Sequence, residues 1–230
     1  MNMIDLRNPQ EAKRYADEQG IPVKALYEMD IQNINMALEK TPDNPRLYLN
    51  RAFDNFIIQS FEAAISDYSK VIELLPSNAE AYHYLGNCYA HLKQDEKAIG
   101  YFNKAIELKD YKYLDSVYND LAISYIMLGD FNHALDSITK AIENMNGVVG
   151  SYYKIRSGIY HELKDYDNSE KDWNIYRAKT ITSYLEELKM MSYREKKDFL
   201  SDMFDNLNAD QQNMLLAGII FDYNSMTDNL

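Results

Sequence analysis

The sequence has a single cysteine and few glycines and prolines, which excludes several kinds of site. Among 230 residues there are one Cys, eight Gly and five Pro. The lone thiol, Cys88, permits neither an intrachain disulfide nor a zinc site with four cysteine ligands. The sequence contains no glycine-rich phosphate loop and no G-x-S-x-G, H-E-x-x-H or C-x-x-C motif. We therefore expect a protein that is not an enzyme and that has no cofactor and no bound metal.

Positive charge is also scarce. The chain has 24 Lys and Arg against 36 Asp and Glu, which gives a net charge of −12. Binding to nucleic acid or to an anionic membrane requires a basic surface, so we expect neither as a general partner. The first residues lack the apolar core of a signal peptide, and no apolar run reaches the length of about 18 residues that a membrane helix needs. These features favour a cytoplasmic protein.

What the sequence does contain is a repeated spacing of aromatic and small residues. The four residues Tyr48, Tyr82, Tyr118 and Tyr153 are separated by 34, 36 and 35 residues. Four further series keep the same intervals: Ala52, Gly86, Ala122 and Ser157; Ala64, Ala98, Ala134 and Ser169; Tyr68, Phe102, Ile138 and Trp173; and Ile58, Leu92, Leu128 and Leu163. A fixed period of this length, with helical spacing inside it, predicts a stacked array of helix pairs.

The packing inside one copy can be predicted from residue sizes. In the copy at 79–108, Gly86 lies on the first helix and Ala98 on the second. Two small residues at these positions allow the helix axes to approach closely, while Tyr82 and Phe102 fill the space beside them. The spacing therefore serves helix packing rather than catalysis.

This pattern resembles the tetratricopeptide repeat family. That family's helix–turn–helix unit of about 34 residues carries an aromatic, a Leu-Gly pair, a Tyr, an Ala, a second aromatic, a second Ala and a Pro. The copy at 79–108 matches nearly all of these positions, and the copy at 115–143 matches most. The resemblance implies an all-α fold, a right-handed α-solenoid of stacked helix–turn–helix units with C-terminal capping helices.

Two copies depart from the family pattern. Arg51-Ala52 and Arg156-Ser157 stand where the pattern has Leu-Gly. We predict the following organisation: a degenerate N-terminal repeat or cap at 1–44; four units within 45–178, at about 45–78, 79–114, 115–149 and 150–178; and capping helices at 179–230. An alternative interpretation makes 179–230 a partner-binding unit, with an exposed patch at Phe199, Met203 and Phe204.

The resemblance also implies a binding surface, because the first helix of each family unit lines the inner groove. Carried over residue by residue, the predicted protein-binding groove comprises Arg46, Leu49, Phe53, Ile57, Glu80, His83, Asn87, His91, Asn119, Ile123, Met127 and Lys154. Some family members hold a peptide's terminal carboxylate with a clamp of two lysines, two asparagines and an arginine. Here the matching positions are Leu49, Phe53, Tyr84, Ser116 and Asp120, so the clamp is missing. We expect Phe53 and Ile57 to anchor an apolar partner side chain instead, and groove residues to be dispensable for folding.

One polar stripe was a candidate for chemistry. Glu80, His83, Asn87 and His91 share one helix face, as a metal or acid–base cluster would. However, the two histidines are two turns apart, too far along one helix to share one ion easily, so polar groove residues are the favoured interpretation. Cys88 is expected to be a buried, inert thiol. Four tyrosines lie off the repeat pattern and are candidates for a binding surface: Tyr111, Tyr113, Tyr152 and Tyr193.

The function predicted from these features is a non-catalytic scaffold that binds a protein segment or peptide in the groove. The alternative is a regulatory or inhibitory protein that sequesters one dedicated partner, such as a toxin, an enzyme or a signalling peptide. Short peptides would bind weakly to the scaffold, whereas a sequestering protein would form a tight one-to-one complex over an extensive surface. The sequence leaves the partner and the oligomeric state open.

Overall fold

The computed structural model describes residues 6–108, 111–146 and 149–190, and in these residues all regular secondary structure is helical. They form ten helices: α1 (Pro9–Gln19), α2 (Val23–Lys40), α3 (Pro45–Ile57), α4 (Phe61–Leu74), α5 (Ala79–His91), α6 (Asp95–Glu107), α7 (Leu114–Met127), α8 (Phe131–Asn144), α9 (Gly150–Glu162) and α10 (Tyr166–Met190). The helices predicted beyond residue 190, together with the patch at Phe199, Met203 and Phe204, lie outside the described residues.

The chain divides into two compact units, residues 1–144 and residues 145–230. In the first unit, α3 packs on α4, α5 on α6 and α7 on α8, and each pair joins the next through α4 on α5 and α6 on α7. Helices α1 and α2 extend this stack at its N-terminal end through the contact of α2 with α3. In the second unit, α9 packs on α10. The predicted all-α solenoid of stacked helix pairs is therefore confirmed.

The same backbone turn ends the first helix of four successive pairs. The residue after the last helical turn has a left-handed conformation in each case, with φ of 64° at Gln59, 60° at Lys93, 76° at Gly129 and 62° at Lys164. In this turn the next amide reaches back five residues, as in the 2.9 Å bond from the Asp130 N–H to the carbonyl of Tyr125. This arrangement satisfies carbonyls that the helix end leaves without partners.

The close helix crossing predicted at Gly86 is present. A Cβ atom at this position would lie only 2.5 Å from Cε1 of the Phe102 ring, so no larger residue fits without displacing the ring. Phe102 and Ala98 are fully buried. The predicted roles of Gly86 and Phe102 in packing α5 against α6 are confirmed.

In the second unit, two serines occupy the corresponding positions. The Ser157 hydroxyl lies 2.8 Å from the carbonyl oxygen of Ser169, and the Ser169 hydroxyl lies 2.9 Å from the carbonyl oxygen of Ser157. Both side chains are small enough for a close crossing, and their hydroxyls bond to the facing helix instead of remaining unsatisfied. Serine in place of the glycine and alanine of α5 and α6 is thus compatible with tight packing of α9 on α10.

Two arginines that interrupt the repeat pattern form buried ion pairs with the second helix of their own pair. Arg51 donates to both oxygens of Asp67, at 2.8 and 2.6 Å, and Arg156 donates to both oxygens of Asp172, at 2.6 and 2.9 Å. Both carboxylates are buried. Each pair spans 16 residues, the interval that separates Leu85 from Tyr101 at the matching positions of α5 and α6. The ion pair of Arg51 and Asp67 thus occupies the positions that Leu85 and Tyr101 occupy in the next helix pair.

Cys88 is fully buried within α5, in the core that α5 shares with α3 and α4. Burial raises the pKa of its thiol to about 12, because the thiolate would lose its hydration. The thiol is therefore protonated and unreactive at neutral pH. The prediction of an inert, buried cysteine is confirmed.

The last described helix passes through the predicted boundary between residues 178 and 179. Helix α10 continues from Tyr166 to Met190 without a break. Neither glycine nor proline occurs between Gly158 and Gly218, so the sequence offers no helix-breaking residue at that boundary.

Candidate functional site: a cleft across α3, α5 and α7

The first unit contains an open cleft of about 560 Å³ on the face formed by the first helices of successive pairs. We call it the α5 cleft, because α5 contributes its centre. It is lined by Arg7, Phe53, Glu80, His83, Tyr84, Asn87, Tyr111, Lys112, Tyr113 and Ser116. Phe53 comes from α3, Ser116 from α7 and Arg7 from the segment before α1, so residues distant in sequence meet here.

Arg7 lies inside the α5 cleft. Its guanidinium forms an ion pair with the carboxylate of Glu80, and its Cζ lies 5.3 Å from the centre of the Phe53 ring. The preceding residue is held as well, because the Tyr27 hydroxyl donates a 3.1 Å hydrogen bond to the carbonyl of Leu6. The segment before α1 thus places a cation between a carboxylate and an aromatic ring.

His83 is buried beneath the cleft and links α5 to the next pair. Its Nε2 lies 2.8 Å from Oδ2 of Asp120, and its Nδ1 lies 3.2 Å from the hydroxyl of Tyr111. The Asn119 side chain donates a 3.1 Å hydrogen bond to the other Asp120 oxygen. His83 therefore links α5 to Tyr111 and, through Asp120, to α7.

The wall of the cleft towards α3 is aromatic. The Tyr84 ring stacks on Tyr68 at 5.7 Å and meets the edges of Phe53 at 5.9 Å and Phe56 at 5.6 Å. Burial raises the pKa of Tyr84 above its ordinary value, so the phenol remains neutral. Aromatic pairs at these distances and angles pack favourably, which makes this wall rigid.

The opposite wall is formed by two tyrosines outside the repeat pattern. Tyr111 and Tyr113 meet edge to face at 5.6 Å, and Tyr113 is exposed at 48%. Burial raises the pKa of Tyr111 well above its ordinary value. Both were predicted as candidates for a binding surface, and both line the cleft. Tyr152 is buried in the second unit, and Tyr193 lies outside the described residues.

A smaller cavity of about 270 Å³ adjoins the α5 cleft and shares Asn87 with it. Its lining includes His91, Ile123 and Met127, and the last two are exposed at 40% and 56%. The His91 ring stacks on Phe61 at 4.7 Å, away from the His83 network. In the predicted polar stripe on α5, Glu80 pairs with Arg7, Asn87 lies 3.5 Å from His83, and His91 stacks on Phe61, so the four residues do not form one cluster.

Two predicted groove residues belong to the core, although Phe53 also lines the α5 cleft. Phe53 is 5% exposed and packs with Ala12, Leu26 and Tyr27, and Leu49 is 9% exposed in the core shared with α4 and α5. The prediction that groove side chains are dispensable for folding is therefore wrong for both. The repeat pattern places them on the groove face, but α1 and α2 pack over this end of α3 and bury Phe53.

The other predicted residues are dispersed. Arg46 is exposed at the start of α3, and Ile57 is half-buried in a separate cavity of about 360 Å³ beside Val23 and Tyr27. Asn119 belongs to the His83 network. Lys154 lies in the second unit, where its Nζ is 5.4 Å from the centre of the Tyr176 ring.

A buried carboxyl group lies next to Phe53 on α3. Asp54 is 3% exposed, and its Oδ2 has no hydrogen-bond partner among the described residues. Burial and the adjacent Asp30 carboxyl, to which it is hydrogen bonded, raise the pKa of Asp54 to about 8, while the positive charge of Arg7 opposes this shift. Asp54 is therefore mostly protonated at neutral pH.

Sequence reasoning missed Arg7 and Lys112 as cleft residues. Arg7 precedes the repeats, and Lys112 lies in the loop between α6 and α7, so neither occupies a position that the period defines. Nothing in the spacing could have located them, because their placement follows from tertiary packing.

Two kinds of feature are not found in the described part of the chain. No group of three or more His, Cys, Asp or Glu side chains is arranged there to hold a metal ion. No helix among the described residues is long and apolar enough to cross a membrane.

Family models match the region that contains the cleft. A model described as "Tetratricopeptide repeat" matches residues 77–146, and one described as "TPR repeat" matches residues 56–93. The TPR repeat-containing protein MJ1428 of Methanocaldococcus jannaschii is 22% identical over an alignment that covers 71% of this chain and 36% of that protein. BBSome complex member BBS4 of Bos taurus is 32% identical over 88 residues, which cover 38% of this chain and 16% of that protein. The chain thus spans only a minor part of these relatives.

Solved structures share the fold. MamA superimposes with a TM-score of 0.65 at 20% identity, over 74% of this chain and 95% of that chain. YrrB, described as a TPR protein with an unusual peptide-binding site, gives 0.58 at 19% identity, over 83% of this chain and 97% of that chain. Residues 56–146 therefore carry tetratricopeptide repeats, as the matching family models show, and the stacked helix pairs share the fold of these solved structures.

Proposed function

We propose that this protein is a non-catalytic interaction module that binds a segment of another protein in the α5 cleft. The observation that carries the proposal is the cleft itself, in which Glu80, Asn87, Tyr113 and Ser116 are all at least partly exposed. Tyrosines and hydrogen-bonding side chains on a rigid support are typical of surfaces that bind proteins. Aromatic packing and the His83 network supply that support.

The chemistry of the cleft favours binding over catalysis. In nucleophilic catalysis a base lies within hydrogen-bond reach of the nucleophile and is oriented by a third group. His83 faces Asp120 and the hydroxyl of Tyr111, but burial raises the pKa of this phenol, which disfavours the phenolate, and the Cys88 thiol is buried. The Asn87 side chain lies where the two cavities meet: its Nδ2 is 3.5 Å from Nε2 of His83, and its amide oxygen and second N–H suit the hydrogen-bonding groups of an extended backbone.

The test is a peptide-display selection on the full chain, followed by affinity measurements on variants. We expect selected segments to bind the wild type saturably and to lose at least about fivefold in affinity on Asn87→Ala, since a lost hydrogen bond in the bound complex weakens binding by about 1–3 kcal/mol. Glu96→Gln is the matched control, because Glu96 is exposed on α6, the second helix of the same pair.

Equal affinity of every selected segment for the wild type, Asn87→Ala and Glu96→Gln would refute the proposal. A single tight partner whose binding withstands each cleft substitution would favour the alternative, sequestration of one dedicated protein over a broad surface.

A further inference from the structure

We infer that the α5 cleft selects a partner segment containing an arginine, and that Arg7 occupies the arginine position in the free chain. This inference rests on the proposed function, since it names the chemistry of the segment that the cleft binds. It makes the segment before α1 an internal competitor for the site.

The surroundings of Arg7 are those of a guanidinium-binding site. The Glu80 carboxylate pairs with one edge of the guanidinium, and the Phe53 ring lies 5.3 Å from Cζ. Carboxylates pair with guanidinium through charge-assisted hydrogen bonds, and aromatic faces attract cations within about 6 Å of the ring centre. Arginine uses both contacts at once, because its planar group can stack and donate in different directions.

The charges around this position also favour a cation. Glu80 lines the cleft, and the Asp120 carboxylate bonds to His83 beneath it, whereas Asp54, with a pKa of about 8, is mostly protonated at neutral pH and adds little charge. The opposing cation is Lys112, whose Nζ lies 4.5 Å from the centre of the Tyr113 ring. The whole chain carries a net charge of −12, so a basic segment would be attracted from a distance.

Arg7 is held more loosely than the arginines that stabilise the fold. The side chains of Arg7 and Glu80 are 37% and 28% exposed, against 24% and 7% for Arg51 and Asp67 and 17% and 5% for Arg156 and Asp172. Water and salt screen a partly exposed ion pair, so a competing ligand can displace one partner more readily. We therefore treat Arg7 as an occupant of the site that a partner's arginine can displace.

The probe for this inference is a fluorescently labelled peptide with the sequence of residues 1–10, measured by anisotropy against the full chain. Its matched control is the same peptide with Arg7 replaced by citrulline, which keeps the shape and removes the charge. On Arg7→Ala protein, we expect the arginine peptide to bind at least about tenfold more tightly than the citrulline peptide, given the combined ion-pair and cation–π contributions. Wild-type protein should bind the arginine peptide several-fold more weakly than Arg7→Ala, because its own Arg7 competes.

A second substitution in the Arg7→Ala protein shows whether the arginine peptide binds at Glu80. Glu80→Gln in the Arg7→Ala protein should abolish the preference for arginine over citrulline, and Glu96→Gln in the same protein should leave it unchanged. Far-ultraviolet circular dichroism verifies folding, and Arg7→Met, which retains the apolar stem, replaces Arg7→Ala if the latter unfolds.

The outcomes separate this inference from the proposed function. If display-selected segments lose affinity on Asn87→Ala while arginine and citrulline peptides bind alike, the proposed function stands and the arginine inference is overturned. An arginine preference that persists after Glu80→Gln also overturns it. If no selected segment depends on Asn87, the proposed function itself fails.

Discussion

Arg51 and Asp67 show how a departure from a repeat pattern becomes intelligible only when its partner is known. Taken alone, Arg51 departs from the repeat pattern, which has leucine at this position. Asp67 follows 16 residues later, and its buried carboxylate pairs with Arg51 through two hydrogen bonds. The same combination recurs at Arg156 and Asp172. Pairing between positions 16 residues apart was a detectable signal, although the apolar period alone does not reveal it.

The buried pair gives the first prediction. Asp67→Ala removes the buried carboxylate that pairs with half-buried Arg51, which keeps its hydrogen bond to Oδ1 of Asn35, and should lower the free energy of unfolding by about 1–3 kcal/mol. The double change Arg51→Leu with Asp67→Tyr copies Leu85 and Tyr101 of the next unit and should recover most of this loss. Urea unfolding of the three proteins tests this, and a double variant no more stable than Asp67→Ala would contradict it.

The crossing of α5 and α6 gives the second prediction. Gly86→Leu must displace the Phe102 ring, which lies 2.5 Å from the position of a new Cβ, and should destabilise the protein by about 1–3 kcal/mol or more. Gly100→Ala is the control, since no atom lies within 4 Å of a Cβ there and alanine favours a helix by up to about 1 kcal/mol. Thermal melting should move in opposite directions for the two variants. A melting temperature of Gly86→Leu within a degree of wild type would contradict the assigned packing.

Asp54 gives a third prediction, on pH dependence. Its pKa of about 8 in the folded chain exceeds the ordinary value of 3.8. Between these values the folded state holds a proton that the unfolded state has lost, so this group makes the free energy of unfolding fall as pH rises from about 4 to about 8. Asp54→Asn, which mimics the protonated form, should remove this component. Urea unfolding at several pH values tests it, and parallel pH profiles for the two proteins would count against it.

At the scale of the helix, the repeated turn after each first helix is the most regular local feature. The apolar series Ile58, Leu92, Leu128 and Leu163 predicts where these helices end, and each is followed directly by the left-handed residue. Only one of those four residues is glycine, so the turn could not be predicted from glycine placement. The fold imposes the conformation on Gln59, Lys93 and Lys164, since amides after the turn must satisfy carbonyls within it.

This turn gives the fourth prediction. Gly129→Ala places a side chain at φ of 76° and should destabilise the protein by about 1 kcal/mol. Lys93→Gly relieves the same strain at φ of 60° and should stabilise it, by at most about 1 kcal/mol because glycine also adds disorder to the unfolded chain. Equilibrium unfolding measures both. A gain on Gly129→Ala, or a loss on Lys93→Gly, would contradict the assigned backbone.

At the scale of the molecule, the repeat predicts the stack of helix pairs because each unit must bury its apolar face on a neighbour. The spacing does not predict how the groove is filled. Phe53 is buried because α1 and α2, whose sequence has lost the repeat pattern, pack over it, and Arg7 reaches the cleft from the same region. Residues outside the period therefore determine which groove positions remain accessible.

The central claim is that the face across α3, α5 and α7 binds the partner, and hydrogen exchange measured by mass spectrometry tests it most directly. The full chain is compared with and without a saturating display-selected segment. The account predicts new protection in α5 and in residues 111–116, with α4 and α6 unchanged, because the cleft is lined from α5 and from the start of α7. Protection confined to the second helices of the pairs, or to residues 191–230, would contradict it.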